Sequence, residues 1–287
     1  MPLLEVQNLS VRFPRPGGTP VDALRSVSMR VEAGEALGVV GESGSGKSTL
    51  ARAMVGLTRP TQGRILYEGA DVSAPDRRLR AWYCRQVQMV FQDAAGSLNP
   101  RMSVQSLLDE VFRVHRPADG AGGALPARAT VSRLLEEVGL PPVVAASYPR
   151  ELSGGQCQRV SLARCLALEP RVLVADEPVS ALDVSVQARV LNLLHGLRQR
   201  LGLALVLVSH DLAVVRTICS RVYVLREGSI VEEGLTEDVL TRPQHPYTRE
   251  LLAAVPDIDR ALAQRETGTG SLCPAPPPAT RETPIHP

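Results

Sequence analysis

Gly41-Glu42-Ser43-Gly44-Ser45-Gly46-Lys47-Ser48 is an intact G-x-x-x-x-G-K-[ST] phosphate loop. Ala36-Leu37-Gly38-Val39-Val40 before it is a short apolar run of strand character. Thr49-Leu50-Ala51-Arg52-Ala53-Met54 after it is mostly good helix formers. Strand, loop and helix in that order are the context the motif requires. Gly41, Gly44 and Gly46 let the backbone curl so that successive N–H groups turn inward, and the positive end of the helix adds to that anion site. Residues Gly41 to Ser48, with Thr49, are therefore the expected contacts to a nucleoside triphosphate. Within them Lys47 is expected to reach the β- and γ-phosphates, and the Ser48 hydroxyl to hold Mg2+.

Working outward, the chain of 287 residues suffices for one large domain or two small ones. A formal net charge of +2 gives no field that favours nucleic acid or an anionic membrane, and no nucleic-acid partner is expected. The longest apolar run, Leu203–Val208, is far short of the ~20 residues of a spanning helix. The start, Met1-Pro2-Leu3-Leu4-Glu5, lacks the basic and apolar regions of a signal peptide. Five cysteines, Cys84, Cys157, Cys165, Cys219 and Cys273, show no C-x-x-C spacing, which fits reduced thiols in a cytosolic setting.

Periodicity predicts strands over 3–13, 27–31, 63–67, 87–91, 171–176 and 203–209, a helix over 184–201, and a hairpin through 222–231. Pro14–Pro20 and Arg116–Pro126 read as loops. Residues ~93–168 carry helical spacing, as in Val131, Leu134, Leu135 and Val138, and read as a helical insertion in an α/β domain. Strand–helix alternation around it predicts a parallel sheet covered on both faces. Residues 1–256 are read as one domain, and 257–287 as a Pro-rich, disordered tail.

Four further motifs carry chemistry. Val172-Leu173-Val174-Ala175-Asp176-Glu177-Pro178 is an apolar strand that delivers two acids to its C-terminal edge, where ligands collect in such sheets. Asp176 is placed to hold Mg2+ and Glu177 to polarise an attacking water. Alone, the run also reads as a capped strand before a proline turn. Leu152-Ser153-Gly154-Gly155-Gln156 opens a helical run over Cys157–Leu168. Alone, it reads first as a serine cap with a glycine turn, and otherwise as a second anion site. Gln92 ends the strand 87–91, and His210 follows the strand 203–209, where a structural strand-end histidine is the alternative.

The string LSGGQ behind a phosphate loop resembles the signature of ATP-binding cassette (ABC) ATPases, and the resemblance spans residues 3–250. It implies a P-loop NTPase of ABC type, α/β with an antiparallel β subdomain and a helical subdomain, using ATP and Mg2+. Gln92 is similar to the family's Q-loop glutamine, a sensor of Mg2+ and γ-phosphate. Ser180-Ala181-Leu182-Asp183 resembles the D-loop, and His210 the switch histidine. Phe13 lies where the family stacks an aromatic on adenine; a core position is its other reading. The catalytic set so implied is Glu177, His210, Gln92 and Lys47, and the metal set Ser48, Gln92 and Asp176. A head-to-tail dimer, homomeric or heteromeric, is implied, in which Ser153, Gly154, Gly155 and Gln156 close on the ATP of the second subunit.

Phe91-Gln92-Asp93 with Ser97-Leu98-Asn99-Pro100-Arg101, and Gln244-His245-Pro246-Tyr247-Thr248 with Leu251-Leu252, resemble the oligopeptide/dipeptide/nickel importer branch. The branch implies a separate integral-membrane permease, an extracytoplasmic solute-binding protein acting indirectly, and a place on the cytoplasmic face of the inner membrane. The alternative is an ATPase subunit of a soluble enzyme complex, such as a phosphonate-degrading lyase assembly. Cys157 and Val179 depart from the branch's usual basic residue and threonine. Cys273 alone gives no basis for an iron–sulfur cluster, which needs about four thiolates.

Overall fold

A computed structural model describes residues 1–15, 17–73, 76–115, 131–180 and 182–254. The expected loop through Arg116–Pro126, Ala181, Cys273 and the 257–287 tail fall wholly or mainly outside them. In chain order the elements are β1 Leu4–Phe13, β2 Val21–Val31, β3 Ala36–Val40, α1 Lys47–Met54, β4 Gln62–Tyr67, β5 Ala70–Asp71, α2 Arg77–Gln86 and β6 Val87–Val90. Then come α3 Ala94–Ser97, α4 Val104–Val114, α5 Val131–Glu137, 3-10 turns at Pro142–Ala146 and Pro149–Glu151, and α6 Gly154–Leu166. The chain continues through β7 Val172–Asp176, α7 Val184–Leu201, β8 Ala204–Ser209, α8 Leu212–Ile218, β9 Arg221–Arg226, β10 Ser229–Leu235, α9 Thr236–Thr241 and α10 Pro246–Ala253.

Two sheets form. One is antiparallel, in the order β2-β1-β4-β5; the other has the order β10-β9-β3-β8-β7-β6. In the second, β9, β3, β8, β7 and β6 pair in parallel and only β10 runs antiparallel, at the edge. Every residue of β3, β7 and β8 is buried, because both faces of this sheet are covered. The pleat sorts their side chains. Val172, Val174, Ala204, Val206 and Val208 face α1, α2 and the antiparallel sheet. Leu173, Ala175, Leu205 and Leu207 face the helical core built from α3 to α10.

Several boundaries differ from those expected. β2 begins at Val21, six residues before the predicted strand, because its first half pairs with β1 through register shifts that break the alternation. The strand predicted over 87–91 stops at Val90. α6 begins at Gly154 rather than Cys157 and ends at Leu166, so the glycines lie inside its first turn. α2 was not anticipated: its arginine-rich sequence buries only Tyr83, and Asp76 starts it by accepting the N–H groups of Arg78 and Leu79.

The strand order positions the site. β3, β8, β7 and β6 lie side by side, with Val40 opposite Ser209, Val208 opposite Asp176, and Ala175 opposite Val90. Their C-terminal ends therefore bring the phosphate loop, His210, Asp176-Glu177 and Gln92 to one edge of the sheet.

Candidate nucleotide site

The loop leaves β3 through Gly41, at φ 151°, where a Cβ would lie 2.1 Å from the carbonyl oxygen of Leu225. No other residue passes there without displacing β9. At the far end Gly46, left-handed at φ 105°, caps α1. Lys47 folds back under the loop, buried, with Nζ donating to the carbonyls of Gly41 at 2.8 Å and Glu42 at 2.7 Å. Burial lowers its pKa from the usual lysine range, against the pull of the Glu177, Asp176 and Glu42 carboxylates. Two neutral carbonyls are modest partners for a desolvated ammonium, and phosphate oxygens would replace them favourably.

Asp176 ends β7, almost fully buried, and accepts the Ser48 hydroxyl at 3.0 Å on Oδ1. Burial raises its pKa, opposed by the Ser48 hydrogen bond. This all-oxygen pair suits a hard divalent cation that draws further ligands from phosphates and water. Among the described residues no group of three or more His, Cys, Asp or Glu could hold a metal unaided. The donor set therefore fits Mg2+ arriving with a nucleotide.

Glu177 follows in a left-handed conformation, φ 45°, rare for a residue with a side chain, while its N–H bonds the Val208 carbonyl of β8 at 2.9 Å. Its carboxylate gathers two partners, one on each oxygen. Gln92 Nε2 donates to Oε2 at 3.1 Å, and His210 Nδ1 lies 3.1 Å from Oε1. Three residues read separately along the chain, at the ends of β6, β7 and β8, thus meet on a single carboxylate.

A cleft of about 510 Å3 opens over the loop, the size of a small-ligand site. Ser43, Gly44, Gly46, Lys47, Ser48 and Thr49 line it, together with Gln92 and Glu177. So do Val21, Asp22, Ala23 and Arg25 of β2, and Glu227 and Gly228 of the β9–β10 turn, which the sequence reading did not include. No local signal marks these residues. The turn reaches the loop by tertiary hydrogen bonds: the Gly228 N–H donates to the Ser45 carbonyl at 2.9 Å, and the Arg25 N–H donates to the Gly228 carbonyl at 2.7 Å. Phe13 is 44% exposed, which excludes the core reading. It pairs across the ladder with Val21, on the cleft's wall.

Not every loop amide faces the anion site. The Glu42 N–H is committed to the Tyr247 phenol oxygen at 2.9 Å, and the Ser45 N–H to the Glu42 carbonyl at 3.2 Å.

Ser153 is the cap of α6, in a reciprocal box. Its hydroxyl accepts the Gln156 N–H at 3.3 Å, while its own N–H donates to Gln156 Oε1 at 2.9 Å. Gly155 lies against α7, where an added Cβ would come within 2.5 Å of Val186 Cγ1. None of Ser153, Gly154, Gly155 and Gln156 lines the cleft over the loop of the same chain. Ser180 donates its hydroxyl to the Glu177 carbonyl at 3.1 Å, and Asp183 stands at the start of α7.

The ABC transporter family model matches residues 24–180, and the oligopeptide/dipeptide transporter C-terminal region matches 231–276. A Brucella ovis protein provisionally named a peptide import ATP-binding protein is 46% identical over 280 residues, 97% of this chain and 87% of that one. The oligopeptide transport ATP-binding protein OppF of Escherichia coli K12 is 43% identical over 277 residues, covering 92% and 81% of the two chains. Among solved structures, the ATP-binding cassette MJ0796, described as a dimer in a post-hydrolysis state bound to ADP and Pi, superposes with a TM-score of 0.70 at 28% identity. It covers 81% of this chain and 98% of its own. Phosphate loop, paired acids, glutamine, histidine and LSGGQ stand on a cassette fold, and the chain belongs to the ABC transporter ATPases, in the branch that carries the oligopeptide/dipeptide transporter C-terminal region.

Proposed function

We propose that this chain is the ATP-hydrolysing subunit of a peptide importer, working through a separate permease on the cytoplasmic face of the membrane. The observation that carries the hydrolytic part is the convergence of Gln92 and His210 on the Glu177 carboxylate beside a phosphate loop. The peptide part rests on the similarity to OppF and on the matching C-terminal region. No helix among the described residues is long and apolar enough to cross a membrane.

On this proposal Lys47 exchanges its two carbonyl partners for the β- and γ-phosphates of ATP, and the adenine stacks on Phe13. Ser48 and Asp176, with Gln92 nearby, would hold Mg2+, which would supply neutralisation of the charge that develops on the phosphates. Glu177 accepts a proton from the attacking water, and His210, bonded to the same carboxylate, orients it toward the γ-phosphate. Ser153, Gly154, Gly155 and Gln156 close on the ATP of a second cassette, homologous or identical. Closure excludes water and aligns the dipole of α6 with the transferring group. Domain 1–256 holds the cassette, and its helical part, residues ~93–168, faces the permease.

The test is a pull-down. The Glu177→Gln chain, tagged and given ATP, is recovered from detergent-solubilised native membranes. Multi-span permease chains in the eluate would support the importer. A soluble multi-enzyme assembly without membrane protein would overturn it.

A further inference from the structure

One peptide unit in the phosphate loop is held from both ends. The carbonyl of Gly41 accepts Lys47 Nζ at 2.8 Å, and the N–H of the same amide, on Glu42, donates to Tyr247 Oη at 2.9 Å. Tyr247 lies some 200 residues further along the chain, on α10, and is buried. Its placement is elaborate. The Arg226 guanidinium sits 4.8 Å above the ring centre, at the end of β9. The Tyr247 N–H donates to His245 Nδ1 at 3.1 Å, which starts the helix. The Glu232 carboxylate of β10 accepts the N–H groups of Gln244 at 2.8 Å and His245 at 3.0 Å, fixing the turn that delivers α10. Hydrogen bonds in series polarise one another, so a donor–acceptor chain through one amide strengthens both of its ends.

We infer that Tyr247 is a positioning residue for the phosphate loop: its hydroxyl fixes the Gly41–Glu42 amide, and through it the place of Lys47, so that the C-terminal helix tunes nucleotide affinity. The inference rests on the nucleotide-binding reading of the loop. It gives a function to the Gln244–Thr248 string, which otherwise serves only as a branch marker. Any partner that shifts α10 would change ATP affinity without touching the cleft.

Tyr247→Phe removes the hydroxyl and keeps the ring under Arg226. The measurement is ADP binding by calorimetry in the presence of Mg2+, alongside the thermal midpoint of the nucleotide-free protein and the KM and kcat for ATP. The expected result is ADP bound about five- to tenfold more weakly, because a loop no longer fixed beforehand is ordered at the expense of binding. KM should rise by a similar factor, with kcat near wild type and the thermal midpoint of the nucleotide-free protein lowered by no more than about 2–4 °C, the effect of losing one hydrogen bond. Unchanged ADP affinity in Tyr247→Phe, with wild type binding normally, overturns the inference. So does a loss of affinity accompanied by a fall in the thermal midpoint well beyond that range, which would mark a merely structural tyrosine. Glu232→Gln provides a second lever, since it loosens the turn and leaves the cleft intact; it should weaken ADP binding in the same direction. A wild-type chain that bound no ADP would instead overturn the nucleotide reading, and this inference with it.

Discussion

His210 Nδ1 and Glu177 Oε1 lie 3.1 Å apart, across the ends of two adjacent parallel strands. The other carboxylate oxygen of Glu177 is bonded to Gln92, so both of its oxygens are held by neighbouring strand ends. On the proposal that Glu177 is the base, a group held in place by three strand ends loses little freedom when it acts.

Glu177→Gln keeps the shape and one acceptor oxygen, turns the other position into an amide donor, and cannot take a proton. Phosphate release should fall roughly 10²–10⁴-fold with ATP affinity near wild type. His210→Ala should lower kcat far more than it raises KM. Steady-state phosphate release with ATP titration checks both.

Asp176→Asn should abolish Mg2+-dependent hydrolysis yet stabilise the nucleotide-free protein. Burial raises the Asp176 pKa, so the folded state binds its proton more tightly than the unfolded chain. The stability this group contributes is present below its ordinary pKa and is lost as pH rises through the folded value. At neutral pH the variant should melt higher than wild type. The difference should shrink toward about pH 4, where the wild-type carboxyl approaches neutrality. Thermal melts across that range decide the matter; a difference that grew in acid would contradict the assigned direction.

Gly155→Ala should disturb the signature through packing rather than through the anion site. Its new methyl would press on the stiff, branched Val186 of α7 at 2.5 Å. Overpacking of this kind costs about 1–3 kcal/mol. Adding Val186→Ala should restore much of the melting temperature. If Gly155→Ala melted like wild type, helices α6 and α7 would not be the constraint.

Phe13→Ala should weaken ATP binding about threefold to tenfold, the range for loss of an aromatic stack. It should barely alter stability, because the ring is already exposed. A large drop in melting temperature with unchanged affinity would return Phe13 to a structural role.

Much of this site was legible because each piece is local. Gly41–Ser48 with its flanking strand and helix, the apolar run into Asp176-Glu177, and LSGGQ each carry their own signal. β7, α7 and β8 were readable for a similar reason: strands buried on both faces are unbroken apolar runs, and α7 has a clear apolar face. What stayed hidden is non-local. Gly228 and Arg25 reach the loop through backbone bonds between distant segments, and no periodicity encodes that meeting. The first half of β2 is hidden because its pairing with β1 shifts register, and α2 is hidden because it buries so little. Tyr247 was noted only as part of a branch string; its contact with Glu42 needs the fold.

The central claim is that hydrolysis at Glu177 drives peptide import. The most direct measurement is uptake of a labelled peptide into proteoliposomes that hold this chain with the permease chains recovered alongside it, ATP being supplied on the cassette side. Uptake that requires ATP and disappears with Glu177→Gln is the predicted result. Peptide uptake that continued at the wild-type rate with Glu177→Gln, or ATP-driven proteoliposomes that moved no peptide, would contradict the account.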